Sequence, residues 1–170
     1  PLKALEKRGN PYGKMEKKRA DWAKEKEFKS SHTIKDLAKD QADTLYFVDS
    51  ITSYDDNIQE IARRTSIILE KAGVDFGILG KGEKDSGNEV IRFGEEMLYQ
   101  ELKAQNTEAI LESGVQQIVT ADPHALNALK KDYTGLPPVK HISEIVAEKI
   151  ASGDLTMKRC LDGDKVYVYH

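Results

Sequence analysis

The sequence predicts an α/β fold in which a mostly parallel sheet of four to five strands carries helices on both faces, in three layers. From residue 44 onward, short apolar runs typical of buried strands alternate with segments whose apolar residues recur at helical spacing. The helical segments are long enough to serve as the crossover connections that parallel strands require. Such crossovers are right-handed, and we expect helices on both faces of the sheet.

The first half of this pattern covers residues 45–79. Residues 45–48 form a compact apolar run and are predicted to be a buried strand. Residues 54–71 carry apolar side chains at helical spacing, and Gly73 is expected to end that helix, since glycine commonly occupies the position after the last helical turn. Residues 74–79 are the second predicted strand.

The second half continues the alternation. Residues 88–113 predict one long helix that ends at Gly114, with Val90, Phe93, Met97 and Leu98 on its apolar stripe. The remaining predicted strands are residues 117–120, 138–142 and 166–169, and the remaining predicted helices are residues 123–132 and 143–151. A doubly wound sheet of this kind is Rossmann- or flavodoxin-like, and it binds ligands beyond the carboxyl ends of its strands.

Residues 1–40 differ in composition and are predicted to be an N-terminal helical arm or linker. They are rich in Lys and Glu, and a helix over residues 15–27 would have Trp22 as its main apolar anchor. Residues 41–157 are the predicted α/β domain. Residues 158–170 are predicted to begin a truncated second copy, because residues 166–170 resemble the apolar-aromatic run of residues 45–49.

Charge and cysteine content limit the classes of function. The net charge is −3 with both signs mixed along the chain, which argues against nucleic acid as a partner. The apolar stretches are far shorter than the roughly 20 residues of a membrane span, so direct membrane insertion is not expected. A single cysteine, Cys160, excludes an internal disulfide and favours a reducing, cytoplasmic location. No signal peptide is expected, because the N-terminus lacks a charged and then apolar leader, and the start at Pro1 without a methionine suggests a piece of a longer protein.

Polar segments follow three of the predicted strands, at residues 47–50, 84–87 and 120–125. The carboxyl ends of parallel strands meet at one edge of a sheet, so these segments should lie together. The side chains expected to share this crevice are Asp49, Ser50, Asp85, Ser86, Asp122 and His124.

Two interpretations of these crevice residues remain open. In the first, they cap helices: Asp122 precedes Pro123, Ser86 and Glu89 have capping-box spacing, and Ser53 caps the helix of residues 54–71. In the second, Asp49, Asp85 and Asp122 hold a divalent cation together with His124. Carboxylate oxygens are ligands that Mg²⁺, Ca²⁺ and Mn²⁺ prefer, and a cation would relieve the repulsion among three carboxylates.

The motifs resemble the cysteine-rich domain of heterodisulfide-reductase-like iron–sulfur oxidoreductases. Residues 9–13 and 19–23 look like the segment that joins a ferredoxin-type module to that domain, and residues 71–80 and 117–124 look like the approaches to its cysteine loops. In the family those loops are similar to Val-Gly-Cys, Cys-Cys-Gly and Cys-Pro-His-Cys. The positions that match the family's cluster ligands are Ser50, Asp85, Ser86, Asp122 and Ala125.

The resemblance implies a first repeat that has lost its cluster ligands. Iron–sulfur clusters are held chiefly by thiolates, so we expect no cluster in this fragment and clusters elsewhere in the parent protein. The implied partners are a ferredoxin-type module and a second cysteine-rich repeat of the same chain, together with redox partner subunits. The implied location is cytoplasmic, including the cytoplasmic face of a membrane complex.

Three hypotheses about function follow. The first is a cluster-less structural and interaction domain of an electron-transfer oxidoreductase subunit, which by itself is not catalytic. The second is a domain that binds a divalent cation or small polar ligand through carboxylates. A third, deliberate removal of the cysteines, is disfavoured because Cys160 remains and because the replacements are mixed.

Overall fold

The computed structural model describes residues 1–157. Its strands are Lys35–Asp36 (β1), Thr44–Tyr46 (β2), Phe76–Ile78 (β3), Gln117–Thr120 (β4) and Val139–His141 (β5). They form one five-stranded sheet in the order β1-β3-β2-β4-β5. Every pairing is parallel, with Leu45 opposite Gly77 on one side and opposite Ile118 on the other. The predicted parallel α/β fold is confirmed.

The helices lie between and beyond these strands. They are Leu2–Arg8 (α1), Lys26–Ser31 (α2), Ser50–Tyr54 (α3), Gln59–Lys71 (α4), Asn88–Arg92 (α5), Glu96–Glu112 (α6), Pro123–Lys131 (α7) and Ile142–Ser152 (α8). Short 3₁₀ turns occupy Glu16–Lys18, Asp21–Lys24 and Gly80–Gly82. Within residues 1–157, none of the helices has the length and apolar character that crossing a lipid bilayer requires.

The sheet separates two apolar cores. Successive strand residues point to opposite faces. Leu45 and Ile118 therefore belong to one buried cluster, to which α6 and α7 contribute, whereas Tyr46 and Val119 belong to another, to which α4 and α8 contribute. The predicted three-layer arrangement is confirmed.

The N-terminal segment packs on this sheet. Trp22 is buried beside Phe28 and Tyr46, with its ring 6.1 and 6.4 Å from theirs. The predicted single helix over residues 15–27 is wrong: two 3₁₀ turns precede α2, whose first turn is capped by the Glu25 carboxylate. The turns bury both Arg19 and Trp22. Strand β1 was not predicted, since Lys35–Asp36 has no apolar pattern and forms by pairing with β3.

Two predicted helices are interrupted. The helix expected over residues 54–71 begins only at Gln59, as α4, and a turn separates it from α3, which ends at Tyr54. The helix expected over residues 88–113 breaks at Gly94, whose φ is +81°. The break leaves Phe93 79% and Met97 88% exposed, so these two do not lie on a buried stripe as predicted. Gly73 and Gly114 each come directly after a helix, as predicted, and both have positive φ. The predicted strand at residues 166–169 and Cys160 lie outside the described residues.

The strand order creates a switch point beside β2. The chain passes from β2 to β3 on one side and then crosses to β4 on the other. At such a point the connections leave the sheet in opposite directions and open a crevice beyond the strand ends. The loops after β2 and β4 flank this crevice.

Candidate functional site

A crevice of about 240 Å³ lies beyond the carboxyl ends of β2, β3 and β4. The six side chains that the sequence predicts to share a crevice all line it: Asp49, Ser50, Asp85, Ser86, Asp122 and His124. Ala125 does not line it, because this residue is fully buried in the apolar core on the α6 and α7 side. The structure therefore gathers the residues around an opening that is walled mainly by oxygen-bearing side chains.

Asp49 has an unusual backbone conformation. Its φ of 61° and ψ of 176° belong to a region populated almost only by glycine, and it is the one non-glycine residue in the described chain with positive φ. Such a conformation costs about 1–3 kcal/mol. The carboxylate helps to offset this cost, since its Oδ1 accepts hydrogen bonds from the amides of Ser50 at 2.7 Å and Ser86 at 3.1 Å. Asp49 thereby joins the loop after β2 to the loop after β3.

A buried ion pair supports the loop after β2 from below. Glu83, 1% exposed, accepts hydrogen bonds from the amides of Val48 at 3.1 Å and Asp49 at 2.8 Å. Arg19, 3% exposed, donates to the Glu83 carboxylate at 2.8 Å and to Ser50 Oγ at 3.1 Å. A buried charge pair is tolerated only when its polar atoms are well satisfied, and here both partners have additional hydrogen bonds.

Sequence reasoning missed this pair. Arg19 lies in the segment predicted to be an arm, and Glu83 lies in a charged loop, 64 residues further along the chain. One signal was available, because Glu83 falls two positions before the Asp85-Ser86 segment that the sequence predicts to line the crevice. Nothing local in the sequence, however, indicates that either side chain is buried.

Burial raises the pKa of two acidic groups, Asp49 in the crevice wall and Glu83 beneath it. The pKa of Asp49 lies well above its ordinary value, first because the carboxyl is desolvated and then because the charges of Asp85 and Asp122 disfavour a third negative charge. The pKa of Glu83 is also raised by desolvation, although the Arg19 guanidinium opposes that rise. A hydrogen bond from Ser86 favours the charged form of Asp49, and the amides of Val48 and Asp49 favour the charged form of Glu83, but burial is the stronger influence on the pKa of each group.

The loop after β3 is held by α6. Asn106, fully buried, accepts a hydrogen bond from the Lys84 amide at 2.7 Å and donates to the Asp85 carbonyl at 3.0 Å. Asp85 Oδ1 accepts from the amide of Gly87 at 2.9 Å. The predicted cap by Ser86 is wrong: Gly87 is the residue before α5, and no side chain caps that helix. The loop turns one residue later than predicted, because Gly87 adopts a left-handed conformation with φ +77°.

The loop after β4 contains a helix cap, as predicted. Asp122 Oδ1 accepts hydrogen bonds from the amides of His124 at 2.7 Å and Ala125 at 3.1 Å, with Pro123 in the first turn of α7. The cap predicted for Ser53 is wrong, because Ser53 lies inside α3 and Asp49 precedes that helix. The His124 ring lies at the mouth of the crevice, with Nδ1 2.6 Å from the Glu89 carboxylate.

The four predicted metal ligands share the crevice, but one carboxylate oxygen of each aspartate already accepts hydrogen bonds from backbone amides. These aspartates are Asp49, Asp85 and Asp122, and the fourth predicted ligand, His124, faces Glu89. Among residues 1–157, no group of three or more His, Cys, Asp or Glu side chains is arranged to hold a metal ion. The positions that the resemblance assigns to cluster ligands offer hard oxygen donors, or none at Ala125, and such donors do not fit an iron–sulfur cluster.

Comparison with known proteins gives several relatives. The chain is 37% identical over 159 residues to the probable iron-sulfur-binding oxidoreductase FadF of Bacillus subtilis, covering 91% of the chain and 23% of the relative. It is 32% identical over 166 residues to the EtfAB:quinone oxidoreductase of Syntrophomonas wolfei, covering 96% of the chain and 23% of the relative. It is 28% identical over 170 residues to one subunit of the dihydromethanophenazine:CoB--CoM heterodisulfide reductase of Methanosarcina mazei, covering 95% of the chain and 38% of the relative.

The chain thus spans about a quarter of the length of the first two relatives. No family model matches it. No solved structure matches it either. The relatives are oxidoreductases that include an iron–sulfur protein and a component of a heterodisulfide reductase, so the resemblance drawn from the motifs is confirmed at that level. Replacement of the cluster cysteines and identity as a first repeat stay predictions.

Proposed function

We propose that this chain is a cluster-free structural and interaction domain of an iron–sulfur electron-transfer oxidoreductase related to heterodisulfide reductases. Similarity to the three relatives covers between 91% and 96% of the chain, yet at most 38% of any of them. The proposal therefore concerns one domain of a larger protein.

The observation that carries the proposal is the set of hydrogen bonds between carboxylates and backbone amides in the walls of the crevice. The family's thiolates would converge there on iron, whereas this chain presents carboxylates that bond to backbone amides. Asp49 links the amides of Ser50 and Ser86, and Asp122 caps α7. Iron in a cluster requires soft, electron-rich sulfur donors, which hydroxyl and carboxylate oxygens do not replace.

These contacts give the crevice a structural role. Asp49, Glu83 and Arg19 connect the loop after β2 to the loop after β3 and to the N-terminal segment. A rigid scaffold of this kind can hold neighbouring modules at fixed positions for electron transfer. The partners in this proposal are a ferredoxin-type module, a cluster-bearing second repeat and redox partner subunits, in the cytoplasm or at the cytoplasmic face of a membrane complex.

Anaerobic reconstitution tests the proposal. The 170-residue chain, after circular dichroism has shown that it is folded, is incubated with ferrous iron and sulfide and then desalted. We expect no retained iron and no visible absorption band. The matched comparison is the Cys160→Ala variant, which removes the one thiol of the chain. A stable cluster bound by the wild type, with its absorption and paramagnetic signal, would refute the proposal.

A second candidate function is binding of a divalent cation or small polar ligand in the same crevice. The observation in its favour is that Asp49, Asp85 and Asp122 are close enough for the charges of the last two to raise the pKa of the first. Calorimetric titration with Mg²⁺, Mn²⁺ and Ca²⁺ separates the two candidates. Heat of binding that disappears in Asp85→Asn would favour the second, whereas flat traces would leave only the first.

A further inference from the structure

A second cavity lies away from the crevice, beside strand β1 and the end of β3. Its volume is about 400 Å³, and it shares no lining residue with the crevice. Its apolar lining consists of Ala20, Ala23, Ile34 and Ile78, and the half-buried His32 and Asp36 also line it. Five lysines complete the lining: Lys35 is half-buried, and the exposed ones are Lys17, Lys24, Lys29 and Lys81. We call it the basic cavity.

The charge of the basic cavity is only partly neutralised. Lys24 pairs with Asp21, Lys35 pairs with Asp75, and the lining carboxylate Asp36 lies 3.8 Å from Lys39, which is outside the lining. The other three lysines, Lys17, Lys29 and Lys81, make no ion pair or side-chain hydrogen bond with any residue in the described part of the chain. On a chain whose net charge is −3, this is a local positive surface that attracts an anionic partner.

We propose that the basic cavity is a docking site for an acidic segment of a partner polypeptide. An apolar side chain of that segment enters between Ala20, Ala23 and Ile34, and its carboxylates face Lys17, Lys29 and Lys81. Charge complementarity of this kind steers the encounter and fixes the register, while the inserted apolar side chain supplies the anchor.

The chemistry of the lining favours a polypeptide over a small phosphorylated ligand. Sites for phosphate usually present an arginine fork or the amides of a helix N-terminus. The lining of the basic cavity contains no arginine, and its lysines without an ion-pair partner in the described part of the chain, Lys17, Lys29 and Lys81, are exposed. Dispersed point charges around an apolar depression match an extended segment with several carboxylates better than they match one compact anion.

This inference rests on the proposed function, because an interaction domain requires a partner surface. It does not depend on the chemistry of the crevice, since the two cavities are lined by different residues. Iron bound in the crevice would overturn the proposed function and leave the peptide titration described below unchanged. Loss of the peptide site would overturn the docking inference and leave the reconstitution result unchanged.

The test measures binding of a synthetic peptide to the whole 170-residue chain. The probe is a short fluorescent peptide of Glu and Asp with one central Leu, followed by anisotropy at low and at physiological salt. The docking variant is Lys17→Glu/Lys29→Glu/Lys81→Glu. The matched control is Lys3→Glu/Lys7→Glu/Lys131→Glu, which reverses the same number of charges at exposed lysines outside the cavity lining.

We expect the docking variant to weaken binding about ten-fold or more and the control variant to change it less than about two-fold. Replacing the Leu of the probe by Gly should also weaken binding, and added salt should reduce it further. Circular dichroism establishes that both variants are folded, and Lys17→Gln/Lys29→Gln/Lys81→Gln repeats the test without charge reversal. The proposal is overturned if the docking variant binds the peptide as tightly as the wild type, or if the control variant weakens binding as much as the docking variant does. Competition by inorganic pyrophosphate at the peptide's own concentration would also overturn it.

Discussion

Replacing Arg19 by methionine is expected to destabilise the protein by about 3–5 kcal/mol, the usual cost of breaking a buried ion pair from one side. The Arg19 side chain is 3% exposed, that of Glu83 is 1% exposed, and their charged atoms are 2.8 Å apart. Methionine fills most of the space but leaves the Glu83 carboxylate without a counter-charge. The hydrogen bonds from the guanidinium to Ser50 Oγ and to the Gly9 carbonyl are lost as well.

The assay is urea unfolding followed by tryptophan fluorescence. Trp22 is the one tryptophan of the 170-residue chain and is almost fully buried, so its emission reports on the packed state. The matched control is Arg64→Met, because Arg64 pairs with Glu60 on the surface, where the two side chains are 72% and 52% exposed. An exposed pair contributes roughly 0–1 kcal/mol.

The pH dependence provides a second readout. Burial raises the pKa of Glu83, so the folded protein binds that proton more tightly than the unfolded chain does. The contribution of Glu83 to the free energy of unfolding is therefore fully present below the ordinary pKa of glutamate and is lost as pH rises through the raised pKa. In Arg19→Met the opposing charge is gone, so the loss should be larger and should extend to higher pH.

A double variant checks the cause. In Arg19→Met/Glu83→Gln no buried charge is left uncompensated, so its loss of stability should be smaller than the sum of the two single losses. The reasoning is refuted if Arg19→Met lowers the free energy of unfolding no more than Arg64→Met does. It is also refuted if the losses in Arg19→Met and Glu83→Gln add up to the loss in the double variant.

Two further predictions concern the loop after β3 and the sheet edge. Asn106→Ala should lower the free energy of unfolding by roughly 1–3 kcal/mol, because it leaves the partly buried Lys84 amide and Asp85 carbonyl without the Asn106 partner. The exposed Gln100→Ala on the same helix should have little effect. Gly77→Ala should cost about 1–3 kcal/mol in thermal or urea unfolding, because its Cβ would lie 2.8 Å from Leu37 Cδ2 and 3.0 Å from the backbone of β1. Gly82→Ala is the control, since its nearest neighbours lie at 3.9 and 4.0 Å, and equal losses for a variant and its control would contradict either prediction.

The crevice could be predicted because parallel strands all end at one edge of a sheet. Knowing only that apolar runs precede Asp49, Asp85 and Asp122, one can place the three together, and the structure does so. The cap by Asp122 was also predictable, since an aspartate before a proline satisfies the first amides of a helix. Both inferences use contacts between residues that are near in sequence or are fixed by topology.

Helical spacing did not reveal which side chains are buried. Phe93 and Met97 fit an apolar stripe in the sequence, yet the turn at Gly94 leaves both exposed. Ser86 has capping-box spacing with Glu89, yet the turn at Gly87 leaves the helix without a side-chain cap. A one-residue change in where a helix begins rotates all later side chains, and the sequence pattern does not define the starting residue that closely.

The sequence by itself determined the layers, the parallel sheet and the edge at which the functional residues lie, because these follow from the period of the apolar residues and from the direction of crossover connections. Only the tertiary structure decided that Arg19 and Glu83 meet beneath the crevice and that Asp49 adopts a glycine-like conformation to join two loops. It also decided that lysines from the N-terminal segment and from the end of β3 surround one cavity. Contacts between residues distant in the chain depend on how complete elements pack, and no local pattern of side chains records them.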